Sequence, residues 1–345
     1  MSDFFVIYIF SFEYIYIMVD EFIKDIDIIN LATLKIYKTK RDEDTDLAGN
    51  VNIEQFINQI NKCKTILEDC IKNRPSTQNS IHNINIYLGK VEWTSQTNTL
   101  GEAWSYNNIG NIRINKWNTT GDYYLNDTLE HQNISVIIHE IFHIFGIFHN
   151  SIGGDIEEIT YNINDVDKKT RRIYKGAKGL NGYKKVLLAN NITVPDPIFI
   201  CLEDDFGTGT KNVHLEEADN DGTYDTEVIK INGQYYPSLY NELMTGLLNQ
   251  KNNYITPITM GCLEDFGYTI NYNSLYIVTN ATNMNFIVGP TTSIQSGKSY
   301  NYITLNEDKY DVSYLNKVLN GGELNNINIL SELVIEKWGQ KIPSR

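Results

Sequence analysis

His139 and His143 stand four residues apart, and Glu140 directly follows the first of them. On a helix this spacing stacks the two imidazoles one turn apart on one face. Two ring nitrogens can then reach a single metal ion at roughly 2.0–2.1 Å. A glutamate beside the first histidine is placed to act as general base toward a water at that metal. Gly146 lets the chain leave the helix sharply, and His149 follows three residues later, which completes a His-Glu-x-x-His-x-x-Gly-x-x-His pattern over 139–149. A bare His-Glu-x-x-His arises by chance fairly often, but the chain has only six histidines in all, so the full pattern is far harder to attribute to composition. The competing interpretation is structural, with buried imidazoles donating to carbonyls. Two histidines and a glutamate in a buried helix are costly to desolvate unless something pairs them, and a zinc ion does so directly.

The elements that must carry these side chains follow from periodicity. Residues 129–145 are apolar almost all round, with Ile134, Val136, Ile137, Ile138, Ile141, Phe142, Ile144 and Phe145, so the motif sits on a buried helix. Upstream, apolar residues recur at helical spacing over 51–73, which predicts a long amphipathic helix ending near Pro75. Residues 84–93 alternate like a strand, and 112–117 suggest another. Downstream, 151–213 is mixed, with turn signals at Gly153, Gly154, Gly179, Gly182, Pro195 and Pro197. A helix is expected over 256–267, with Pro257 in its first turn and Gly267 at its end. Short strands and a helix at about 327–338 are expected after residue 270.

Composition narrows the partners. The net charge is −14 with no long basic run, which argues against nucleic acid and anionic membrane surfaces. Four cysteines in 345 residues are not a disulfide framework. Buried free thiols are the default, with a Cys201–Cys262 bridge as the alternative. Residues 4–19 are mostly apolar, yet Asp3 precedes the run, Glu13 interrupts it, and the first lysine is Lys24. The run is also short for a membrane span. A cleaved leader or anchor, a packed element, and an extension upstream of a start at Met18 all remain open, and so do membrane association and compartment.

The residues around the motif resemble the leishmanolysin family of metzincin zinc proteases over roughly 84–272. The similarity runs through 100–103 and 111–114, then 182–188, 194–195, 207–210 and 213–217, and on to 241–246 and 255–268. The Asn-Glu-Leu-Met-Thr-Gly run at 241–246 is the most specific part. It is similar to the family's Met-turn, which implies that Met244 packs beneath the zinc site. The resemblance also bears on the third ligand. Most metzincins take the histidine three residues past the glycine, here His149, whereas leishmanolysins take one shortly before the Met-turn. The segment at 214–217 resembles that second arrangement, with Leu215 in place of a tryptophan, so His214 is the preferred third ligand and His149 the alternative.

Two features depart from the family: few cysteines, and an apparent insertion at 218–240. Within or next to that insertion, Glu217, Asp219, Asp221, Gly222 and Asp225 partly match a calcium loop. Val228 stands where the closing glutamate belongs, so an acidic solvated turn is preferred to a Ca2+ site.

The expected fold class is therefore α/β (α+β), metzincin-like, with a twisted mixed sheet, long helices and a smaller irregular C-terminal part. The expected division is an N-terminal extension at 1–50, a peptidase domain at 51–275 and a C-terminal extension at 276–345. The expected activity is zinc-dependent peptide-bond hydrolysis, with one zinc per chain and Glu140 as base. Protein or peptide substrates would pair with an edge strand near 91–104. The alternative is a catalytically silent, zinc-stabilised binding or adhesion protein of the same fold.

Overall fold

The computed structural model describes residues 21–38, 53–76, 81–88, 100–106, 108–114, 130–148, 155–162, 168–204, 210–216, 229–239, 242–246, 248, 253–277 and 286–287. The first described elements form a hairpin, β1 (Glu21–Ile28) and β2 (Ala32–Lys38), turned through Asn30 at φ 60°. Asparagine is among the few residues that accept this left-handed conformation. Helix α1 (Ile53–Cys70) follows, burying Phe56, Ile60, Cys63, Leu67 and Cys70, which recur every three or four residues along one face. The short β3 (Ile71–Asn73) then leads to β4 (Asn83–Leu88). In β4, Ile84, Ile86 and Leu88 are buried and the residues between them are half-buried, the period-2 signature of a strand with one covered face. Strands β5 (Gly101–Tyr106) and β6 (Ile109–Ile114) form an antiparallel hairpin.

These strands assemble into a mixed five-stranded sheet in the order β1-β2-β4-β6-β5. The β2–β4 and β4–β6 pairs are parallel and the two outer pairs antiparallel. Its inner face packs against α1 and against α2 (Glu130–Ile144), the helix that carries the motif. The molecule is thus a mixed α/β protein with a mixed sheet.

The second half adds β7 (Ile156–Asn162), β8 (Lys168–Tyr174) and β9 (Ile200–Cys201), a three-stranded antiparallel sheet. Between β8 and β9 runs α3 (Ala177–Ala189). The hairpin β10 (Lys230–Ile231) and β11 (Gln234–Tyr235) follows, then β12 (Ser238–Leu239). Helix α4 (Pro257–Asp265) has Thr256 at its N-cap, whose Oγ1 accepts from Ile258 N at 3.1 Å. Strand β13 (Thr269–Ile270) returns to pair with β3, and β14 (Phe286–Ile287) pairs with β12. One main core includes residues of the large sheet, α1, α2, α3 and α4.

Several expectations need correction. The large sheet takes two of its five strands from 21–38, so the domain begins well before residue 51. At the other end, Ile277 bridges to Ile255 and β14 pairs with β12, so contacts of the domain run past residue 275. Gly179 and Gly182, read as turn signals, lie inside α3. They are there for packing: a Cβ at Gly182 would run into the Pro257 carbonyl, and one at Gly261 into that of Lys178, so glycines bring α3 and α4 together. Helix α3 also lacks a cap of its own at Gly176. Asp265, at the end of α4, substitutes for it, accepting from Lys178 N and Gly179 N, both at 2.9 Å. All four cysteines are buried and free, so no Cys201–Cys262 bridge forms. Among the described residues, no helix is long and apolar enough to cross a membrane. The apolar run 4–19, the calcium-like residues Glu217–Asp225 and the helix expected at 327–338 lie outside the described residues.

Candidate metal centre

Helix α2 ends in a turn that serves the site. Gly146 takes φ 108°, a conformation that strains any residue with a Cβ. Gly146 N then donates to His143 O at 3.0 Å and Ile147 N to Phe142 O at 3.1 Å, the paired bonds of a Schellman cap. The cap brings Ile147 O back onto the helix, where it accepts from His143 Nδ1 at 3.3 Å.

His139 and His143 project from one face of α2, and His214 meets them from the segment 210–216. The three Nε2 atoms form a near-equilateral triangle: 3.0 Å from His139 to His143, 3.0 Å from His139 to His214 and 3.1 Å from His143 to His214. Each Nδ1 faces a carbonyl, His139 toward Leu243 O at 2.7 Å and His214 toward Thr210 O at 2.8 Å, with His143 as above. A carbonyl only accepts, so each Nδ1 carries the proton and each Nε2 presents a lone pair. Three lone pairs meeting at this separation only repel unless a cation joins them. Nitrogens bound tetrahedrally to one zinc at roughly 2.0–2.1 Å lie about 3.3–3.4 Å apart, so the triangle is slightly smaller than, and close to, the one such an ion needs. Burial lowers the pKa of His139 to about 4, and that of His214 to about 3 with His139 adding to the effect, so both stay neutral at pH 7. Of the two candidates for the third position, the structure brings His214 to the pair; His149 lies outside the described residues.

Glu140 is buried and follows His139 on the helix. Its carboxylate lies against Gly101, the first residue of edge strand β5: a Cβ there would stand 2.7 Å from Glu140 Oε1. Burial, reinforced by the charge of Glu102, pushes Glu140 up to about 8. Glu102 itself pairs with Arg113 at 2.9 Å.

The segment 242–246 is organised by a residue that the motif reading named without giving it a role. Glu242 is fully buried. Its carboxylate accepts from Met244 N at 2.6 Å, from Thr256 Oγ1 at 3.0 Å and from Thr259 Oγ1. Burial pushes its pKa up to about 7 against the downward pull of these bonds. Leu243 O, which holds His139, and Met244, completely buried, are both set by this loop.

Sequence reasoning also passed over Arg171. It is 2% exposed and forks between Asp204 and Glu216. The surrounding run, KKTRRIY, reads as polar, and only the positions of its distant carboxylate partners could have marked it as buried. Glu203, Asp204 and Glu216 form a second cluster of acidic oxygens, which Arg171 joins with two ion pairs. No family model matches this chain, and no curated protein matches it.

Proposed function

We propose that this protein is a zinc metalloendopeptidase of metzincin type, with His139, His143 and His214 as ligands and Glu140 as general base. One observation carries the proposal: three imidazoles present their Nε2 atoms to one point, 3.0–3.1 Å apart, beside a buried glutamate. The mixed sheet over a motif-bearing helix and the order of the runs at 139–146, 213–217 and 241–246 support the same family.

A zinc ion bound there would polarise the scissile carbonyl and lower the pKa of a water toward roughly 7. The Leu243, Ile147 and Thr210 carbonyls hold the three rings in the tautomer that leaves Nε2 free to ligate. Glu140 takes the proton of the attacking water and passes it to the leaving amine. His139 and His143 are half-buried and His214 is buried. Strand β5 is the sheet's edge, pairing only with β6 among the described residues, and its free side can take an extended peptide by strand addition. Met244 neither ligates nor transfers protons; it packs in the core beside the ligand-holding loop.

The test is turnover of a peptide library by zinc-loaded wild type and Glu140→Ala. The expected result is cleavage by wild type and its loss in the variant with zinc content unchanged. Zinc binding without cleavage by wild type, even after limited proteolysis, would replace the peptidase with the silent binding protein.

A further inference from the structure

The third histidine has no helix to hold it, and the surrounding bonds show what does. His214 lies in a segment with single bridges on either side, Leu215 to Leu202 and Leu215 to Thr245. Its carbonyl accepts from Glu203 N at 3.0 Å, and Glu216 N donates to Cys201 O at 3.1 Å. These backbone bonds tie the segment to residues 201–203, the continuation of β9. Side chains add one buried cross-tie. From β8, Arg171 Nη1 donates to Glu216 Oε2 at 2.7 Å, while Nη2 and Nε donate to Asp204 Oδ1 and Oδ2 at 2.7 and 3.0 Å.

We propose that Arg171 is a positioning residue for the metal site, clamping the segment that bears His214 through Glu216 and its neighbouring strand through Asp204. The proposal rests on the reading of the three histidines as metal ligands. Its physical content is a division of labour. Two ligands share the rigid frame of α2, so the site's affinity depends on how closely the third is held in place before an ion arrives. Glu216 is two residues beyond His214, which puts the clamp on the ligand's own stretch of chain. A planar guanidinium can hold a bidentate carboxylate on one edge and a second carboxylate on another nitrogen; an ammonium cannot keep both in fixed directions.

Zinc affinity, measured by competition with a chromophoric chelator, tests the proposal on wild type, Arg171→Lys and Arg171→Met. The melting temperature of each metal-free protein and the visible spectrum of cobalt(II) in place of zinc are recorded alongside. Ile26→Val, a core change in β1 remote in the sheet, serves as the control for stability loss. Arg171→Met is expected to lose about 100-fold in zinc affinity and Arg171→Lys about 10-fold, with cobalt spectra that report weakened third-ligand binding. The control is expected to bind zinc as wild type does. If Arg171→Met does not fold, Arg171→Lys decides alone. Wild type binding zinc while folded Arg171→Lys binds within twofold of it overturns the clamp and leaves the metal site standing. A wild type that binds no zinc removes both.

Discussion

Helix α2 and the 210–216 segment deliver ligands to the same point by opposite means. On α2, a spacing of four residues and continuous helical bonding set His139 and His143 at 3.0 Å. In 210–216 the only local hold on His214 is Thr210 O, which meets its Nδ1 at 2.8 Å; the backbone of the segment is held by bonds to residues 201–203 and to Met244 O, and its Glu216 by Arg171. The difference teaches where each half is vulnerable. The spacing of the helical pair should survive most changes outside the helix, with only the orientation of His139 tied to Leu243 O, whereas the backbone position of the third ligand depends on groups scattered over three separate stretches of chain.

The largest expected effect lies on the helix itself. Glu140→Gln keeps the shape beside Gly101 but cannot accept the water's proton, so kcat/KM should fall by about 10²–10⁴-fold with zinc stoichiometry intact. Unchanged peptide turnover would remove Glu140 from the chemistry.

On the irregular side, Glu242→Ala should destabilise the protein by about 3 kcal/mol, because Met244 N and two threonine hydroxyls lose a buried acceptor. Urea unfolding checks this. A loss below about 0.5 kcal/mol, the range of an ordinary surface change, would show that the loop around Met244 is held by something else.

A subtler change separates position from presence. In Gly101→Ala the new Cβ meets Glu140 Oε1 most closely, with Glu140 Cγ and Val136 Cγ1 at 3.0 Å, so the carboxylate swings away and the neighbouring side chains give by a few tenths of an ångström. Activity should fall by about 10- to 100-fold, with the melting temperature and zinc affinity nearly unchanged. A large drop in melting temperature instead would mean that the strand, not the carboxylate, yields.

A last expected effect is the pH profile of the metal-free protein. His139 and His214 have folded values of about 4 and 3, below the ordinary 6.5, so the unfolded chain binds more protons as pH falls through that window and stability drops. Glu140 and Glu242 have folded values of about 8 and 7, above the ordinary 4.5, so stability drops as pH rises from 4.5 through those values. Two rising and two falling contributions overlap between 4.5 and 6.5. The melting temperature should therefore be flattest there and decline on both sides. A steady rise from pH 6.5 to 8 would contradict the buried state of the two glutamates.

Legibility in the sequence followed the same division. The motif helix was visible because its chemistry and its apolar periodicity are both local, and the end at Gly146 was visible because a glycine there permits positive φ. Strands β4 and β6 were partly visible, through alternation. His214 could be singled out only by the resemblance of 213–217 and 241–246 to a known family, since no local pattern states which distant strand will carry its segment to the helix. The β1–β2 hairpin was missed because a polar stretch and an apolar run of ambiguous meaning flank it. Gly179 and Gly182 misled because glycine marks both a turn and a close helix crossing, and only the presence of Pro257 and Ile258 opposite decides between them. Arg171 and Glu242 were out of reach for the same reason: a charged residue's burial depends on partners 33 and 45 residues away in one case and 14 and 17 in the other.

The most direct test of the account is equilibrium zinc binding by wild type, His214→Ala and His149→Ala. The metal centre described here predicts about one zinc per wild-type chain, a loss of affinity by orders of magnitude in His214→Ala, and wild-type affinity in His149→Ala. Wild-type affinity in His214→Ala together with loss in His149→Ala would contradict it.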